Sequence, residues 1–196
     1  PAPTPTPPAS SPTPTACISA PTPATGYSLV FKGCSATNVA EYYDKTECVR
    51  DNATGLIWQG QTAAGTALRA NNRYMTNFDS TTALQKVTGS TAVAPSNFDV
   101  FNEYNSIGFR NAVNATNLCG SGAWRLPTIG ELKSILKLSE FPSIDNIWFP
   151  NTLGKYYWTS SNNGINDELA TNIIFITGEA FDDRRTYLRL VRLVHP

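Results

Sequence analysis

From residue 26 onward, short stretches of alternating apolar and polar positions outnumber helical stripes. Tyr27, Leu29 and Phe31 alternate with Ser28, Val30 and Lys32, a period of two that predicts a strand closing at Gly33-Cys34. Cys48-Val49-Arg50-Asp51 and Leu56-Ile57-Trp58-Gln59 predict the arms of a hairpin whose second arm buries Trp58. The intervening Asn52-Ala53-Thr54-Gly55 supplies the turn chemistry. Residues 156–161, 171–177, 180–182 and 188–194 read as further strands, the last one studded with arginine. Helical spacing is clear over 105–118, where Ile107, Phe109, Val113 and Leu118 share a side and Ser106 is the expected cap. A weaker helical pattern covers 67–75, and the rest of 60–101 reads as a long surface excursion.

The second clear helix follows Cys119 and anchors the pattern. Gly120 and Gly122 allow a turn, Trp124 is a large group to bury, and Pro127 disfavours helix at Leu126. Thr128 and Glu131 then have the spacing of a capping box, in which each side chain satisfies a backbone N–H that the first turn leaves orphaned. Ile129, Leu132, Ile135 and Leu136 form the apolar stripe, with Lys133 and Lys137 toward solvent. Two helices before residue 140 and a set of short, mostly antiparallel strands define an α+β domain over residues 26–196.

Composition alters this picture at the N-terminal end. Residues 1–25 alternate proline with Thr, Ser and Ala, and cannot bury enough apolar surface to offset their ordering entropy. They are expected to form a tail that is extended polyproline-II or disordered. Thr4, Thr6, Thr13, Thr15 and Thr22, flanked by prolines, are the candidate positions for O-linked sugar. The start at Pro1 suits a processed chain or an excerpt whose signal sequence is gone. Fifteen basic residues balance fifteen acidic ones, so the basic footprint of a nucleic-acid binder is missing. No apolar run is long enough to span a bilayer.

Four cysteines, Cys17, Cys34, Cys48 and Cys119, show no C-x-x-C spacing. Two disulfides in an oxidising, secreted or cell-surface setting are expected, rather than zinc or redox chemistry. The residues alone leave all three pairings open. The single histidine, His195, is not read as catalytic, and Glu140 and Asp145 are read as ordinary carboxylates. Asp182-Asp183-Arg184-Arg185 reads as a solvated turn with local ion pairing. Trp58, Trp124 and Trp158 are core candidates, whereas Trp148, Phe149, Tyr156 and Tyr157 flank loops and are the candidate ligand or partner contacts. No enzyme, cofactor or metal site is expected.

Five motifs then occur in one order: D-N-A-T-G-L-I-W from Asp51, L-C-G-S-G-A-W-R-L-P-T-I-G-E-L from Leu118, I-D-N-I-W-F-P-N-T from Ile144, Y-W-T-S-S from Tyr157 and V-R-L-V from Val191. Together they resemble the domain-of-unknown-function 1566 family, to which the C-terminal domain of the collagen-like adhesin Lcl belongs. The W-R-L-P-T-I-G-E portion is also similar to the formylglycine-generating, sulfatase-modifying family. The resemblance implies a C-type-lectin-like fold and an exported, adhesin-related domain. It also implies a Cys48–Cys119 bridge, which leaves Cys17 to pair with Cys34. The chain lacks collagen repeats and any cysteine after Cys119, so neither a collagen-driven trimer nor formylglycine chemistry is implied. The expected function is a non-enzymatic, self-assembling fibre or pilus-like surface subunit that contacts other copies of itself. The alternative is a surface adhesin domain that binds carbohydrate or a host protein.

Overall fold

A computed structural model describes residues 17–162 and 164–196. Four antiparallel strands form the first sheet, in the order β1 (Tyr27–Leu29), β4 (Cys48–Asp51), β5 (Ile57–Gln59) and β11 (Val194–His195). A second antiparallel sheet runs β10 (Ala180–Arg184), β9 (Leu169–Ile174), β8 (Tyr156–Trp158). Two hairpins complete the strands: β2 (Phe31–Cys34) with β3 (Ala40–Tyr42), and β6 (Lys86–Thr88) with β7 (Thr91–Val93). The helices are α1 (Asn97–Phe101), α2 (Ser106–Ala115) and α3 (Ile129–Ser134). The mixed α+β class follows.

The segment from Arg189 to His195 joins these parts. Met75 and Arg189 exchange backbone bonds of 2.7 and 3.0 Å, and Leu190 pairs with β8 through its N–H to Tyr156 and its carbonyl from Trp158, both 2.9 Å. Leu193 then accepts from Gln59 of β5 at 2.9 Å, and Val194 exchanges bonds with Arg125. Successive side chains point to opposite faces, as extended backbone requires. Val191 and Leu193 enter one core with Phe109, Trp124 and Trp158. Leu190 and Val194 enter the other with Trp58, Leu132, Ile135 and Phe149. Strands β4, β5 and β8 split their residues the same way, so this central layer is buried on both faces.

Local chemistry places the flanking elements. In the β4–β5 turn, Asp51 accepts from the Ala53 N–H at 3.0 Å and the Thr54 hydroxyl at 2.7 Å. Gly55, at φ +77°, completes it in a region that L side chains rarely adopt. At α3 the Thr128 hydroxyl accepts from the Glu131 N–H, the Glu131 carboxylate accepts from the Thr128 N–H, and Arg125 grips that carboxylate at 2.6 and 2.8 Å. Trp124 is locked by its indole N–H to the Leu118 carbonyl and by two bonds between its backbone and the Asn114 side chain.

Several expectations are corrected. No helix covers 67–75; Met75 is drawn instead into pairing with Arg189, and tertiary pairing overrides a weak local preference. The stretch 60–101 is not merely a surface excursion, because Gln61, Asn71, Asn77, Phe78 and Val100 are buried and α1 and the β6–β7 hairpin lie within it. Among the described residues three helices form rather than two, and α3 stops at Ser134 because Leu136 turns to bridge Ile144. Ser106 is the first residue of α2, not its cap. The cap position belongs to Asn105, whose buried side chain bonds Phe78, Val100 and Thr76 instead of the helix. Gly108 packs so closely that a Cβ would lie 1.9 Å from the Asn102 carbonyl oxygen. Residues 182–185 are not a solvated turn: Asp182 to Arg184 belong to β10, and Arg185 is buried against Asp79, Asn77, Asn162 and Asp167.

Cys17 pairs with Cys34 and Cys48 with Cys119. The second bridge closes a sequence separation of 71 residues. Replacing Cys48 and Cys119 together by alanine is expected to lower unfolding stability by about 4 kcal/mol, measured by denaturant unfolding. The Glu131 carboxyl is held down to about 2, first by its bond to Arg125 and then by the Thr128 N–H. A carboxyl depressed in the folded state contributes stability that is complete above its ordinary 4.5 and is lost as the pH falls toward 2. Thermal melts from pH 6 to 2.5 should show this decline, and Glu131→Gln should flatten it.

Candidate functional site

A cavity of about 600 Å³ forms a groove along β1. Its floor is aromatic: Tyr27 and Phe31 from neighbouring strands, Tyr42 from β3 and Trp148 from the loop before β8. Its far wall is the chain's own segment 19–23, which includes Pro21, Thr22 and Pro23. A second cavity, of about 400 Å³, lies between α2 and the start of α3, where Arg125 is already taken by Glu131.

Each groove side chain has a physical reason for its place. Tyr27 stands edge-on to Phe149 at 5.0 Å and tilted against Trp148 at 6.2 Å, so the buried Phe149 props Tyr27 and Tyr27 in turn backs Trp148. Lys45 donates to the Ile147 carbonyl at 2.9 Å, with its ammonium 5.2 Å from the Trp148 ring centre. Phe31 and Tyr42 meet edge to face at 5.8 Å across the β2–β3 hairpin. The Tyr27 hydroxyl is pushed up to about 12, chiefly by burial and then by Asp51 and Asp145, so it stays protonated at neutral pH. Arg50 adds a cation to the lining. Rings with a few polar tips suit an extended, weakly polar ligand such as a proline-rich chain or a sugar face.

The wall is seated from both ends. The Cys17–Cys34 bridge ties it to β2, the Cys17 N–H donates to Asn38 at 2.9 Å, and the Ala20 N–H donates to the Tyr42 hydroxyl at 2.7 Å. Residues 17–25 therefore rest on the protein's own head.

Of the four candidate aromatics, the structure brings only Trp148 into the groove. Phe149 and Tyr157 are fully buried and meet no ligand at the surface. Tyr157 stacks on Phe175 at 4.5 Å, and its hydroxyl bonds Leu153 and Gln61. Tyr156 lies elsewhere, edge-on to the half-exposed Phe181, with the Arg189 guanidinium 4.5 Å over its ring. Thr22 is exposed and lines the groove, whereas Thr4, Thr6, Thr13 and Thr15 fall outside the described residues. Glu140 and Asp145 are both bound by Lys137, at 2.5 and 3.2 Å. His195 is buried edge-on to Trp124 at 4.4 Å, and burial lowers its pKa. Among the described residues no three His, Cys, Asp or Glu side chains gather as a metal site, and no helix is long and apolar enough to cross a membrane.

Sequence reasoning missed Tyr42 and Arg50 and assigned Tyr27 and Phe31 to an ordinary strand. The alternation of Tyr27, Leu29 and Phe31 did place them on one face. That face looks onto the groove, and Leu29 and Phe31 remain more than one-third exposed at 37% and 38%.

A family model described as the Lcl C-terminal domain matches residues 47–195. No curated protein and no solved structure matches the chain.

The chain has four tryptophans, and three of them, Trp58, Trp124 and Trp158, are at most 1% exposed. Iodide should therefore quench one tryptophan class only, and Trp148→Phe should remove most of that quenchable emission in a fluorescence titration.

Proposed function

The chain belongs to the Lcl C-terminal domain family over residues 47–195, and we propose that it is a non-enzymatic, adhesin-type domain outside the cell that assembles with copies of itself. Two disulfides support an oxidising, secreted or surface setting. The observation that carries the reading is the seating of the Pro/Thr-rich chain on the aromatic groove. It fixes, at Cys17, the point where the preceding chain joins the head. A contact made by such an arm on a neighbour is head-to-tail, and it propagates as a fibre wherever the rotation does not close. The return of β11 onto β5, with helices flanking two small sheets, supports reading the architecture as C-type-lectin-like. The Pro-flanked threonines Thr4, Thr6, Thr13, Thr15 and Thr22 are the attachment points for O-linked sugar on this reading.

One observation favours a second reading, a head that binds carbohydrate or a host protein as a tethered adhesin. Tyr156, Phe181, Tyr187 and Arg189 form a half-exposed aromatic platform away from the groove, with Arg189 fixed to Asp183 at 2.8 Å. Stacking rings around a held cation suit a sugar face.

Negative-stain microscopy and light scattering of the full chain decide between them. Self-association that disappears on deleting residues 1–16, with an unchanged melting curve, supports the first reading. A monomer at all concentrations that binds a glycan array through Tyr156 supports the second.

A further inference from the structure

We propose that the groove formed by Tyr27, Phe31, Tyr42 and Trp148 is the receptor for residues 2–5 of a second copy of this chain. The inference rests on the self-assembly reading above and names the contact that would carry it.

The groove already holds this ligand chemistry. The wall against Tyr42 is Ala20-Pro21-Thr22-Pro23, and the same tetrapeptide, Ala2-Pro3-Thr4-Pro5, recurs near the start of the chain. A-P-T-P in polyproline-II form carries no internal hydrogen bonds, presents flat proline rings, and loses little entropy when it docks on aromatic side chains. With the first copy of the motif forming one side, the groove keeps about 600 Å³ of open space, bordered by the Tyr27 and Trp148 rings. That volume suits a short peptide. The Tyr27 hydroxyl, protonated at neutral pH, and the Arg50 guanidinium supply donors for its backbone carbonyls.

Geometry selects a neighbour over the chain's own head. Ala2 lies fifteen positions before Cys17, where the disulfide pins the arm. Prolines at positions 3, 5, 7, 8, 12 and 14 stiffen them, and at about 3.1 Å per residue they reach about 46 Å. A domain of this size is about 40 Å across. On this proposal an arm held in polyproline-II form would have the reach to span one head to the groove of the next. Folding back to its own groove would require a reversal within the proline-rich run.

The test uses the full chain with a synthetic peptide of residues 1–16 as competitor. The peptide should quench Trp148 emission saturably and dissolve the assemblies seen by light scattering. Trp148→Ala should weaken peptide binding at least tenfold. Pro3→Gly with Pro5→Gly, which leaves the head untouched and so cannot act by unfolding it, should abolish assembly as well. Assemblies that survive the peptide and all of these substitutions overturn the groove assignment while leaving self-association standing. No quenching by the peptide and no assembly at any concentration overturn both.

Discussion

Both sheets close on the segment from Arg189 to His195, and the rest of the molecule is arranged around the need to bury it on two sides. Its odd and even residues serve different cores, so the chain needs apolar layers above and below. The helices α2 and α3 and the aromatic loop provide them. The exception along this segment is Arg192, which is fully buried on the side of Phe149. Its guanidinium donates to the Gln59 carbonyl at 2.8 Å, the Gln61 side chain at 2.9 Å and the Thr152 hydroxyl at 2.6 Å. Burial pulls its pKa below the usual arginine value. A buried cation held by neutral acceptors contributes little net stability, yet it admits few alternative arrangements of β5, the loop at Thr152 and the closing segment. Those parts include Phe149, and Phe149 props Tyr27. The groove thus inherits its shape from the core beneath it.

Much of the frame was readable from the residues. The β4–β5 hairpin, the Thr128–Glu131 box and the burial of Trp58, Trp124 and Trp158 all follow from local rules, because turn chemistry, capping and large apolar side chains act over a few residues. What escaped was non-local. Nothing near Met75 announces that it pairs with Arg189, and nothing near Asn105 announces that its amide serves Phe78 and Val100 rather than its own helix. Residues 60–101 looked like surface because their buried apolar members are scattered and as many of their buried members are polar. Gln61, Asn71 and Asn77 gain their partners only from distant segments. The groove was half legible: Trp148 and Thr22 stood out, while Tyr42 and Arg50 join it only through sheet pairing.

The aromatic pairs Trp148-Phe149 and Tyr156-Tyr157 show how neighbours in sequence divide labour. In each, one ring enters the core and the other reaches the surface. In β8 this is the ordinary alternation of a strand, and in the loop before it the same division arises because Asp145 accepts backbone N–H groups and fixes the turn. A surface ring backed by a buried one is held in orientation, which preserves the flatness a stacking partner needs.

The late position of the closing segment also governs when the molecule can take shape. A chain emerging from the ribosome, or threading through a secretion pore, has neither layer complete until residues 189–195 arrive, and contacts across such sequence distances are slow to form. The compact state of this domain therefore begins only once residues 189–195 have joined both layers.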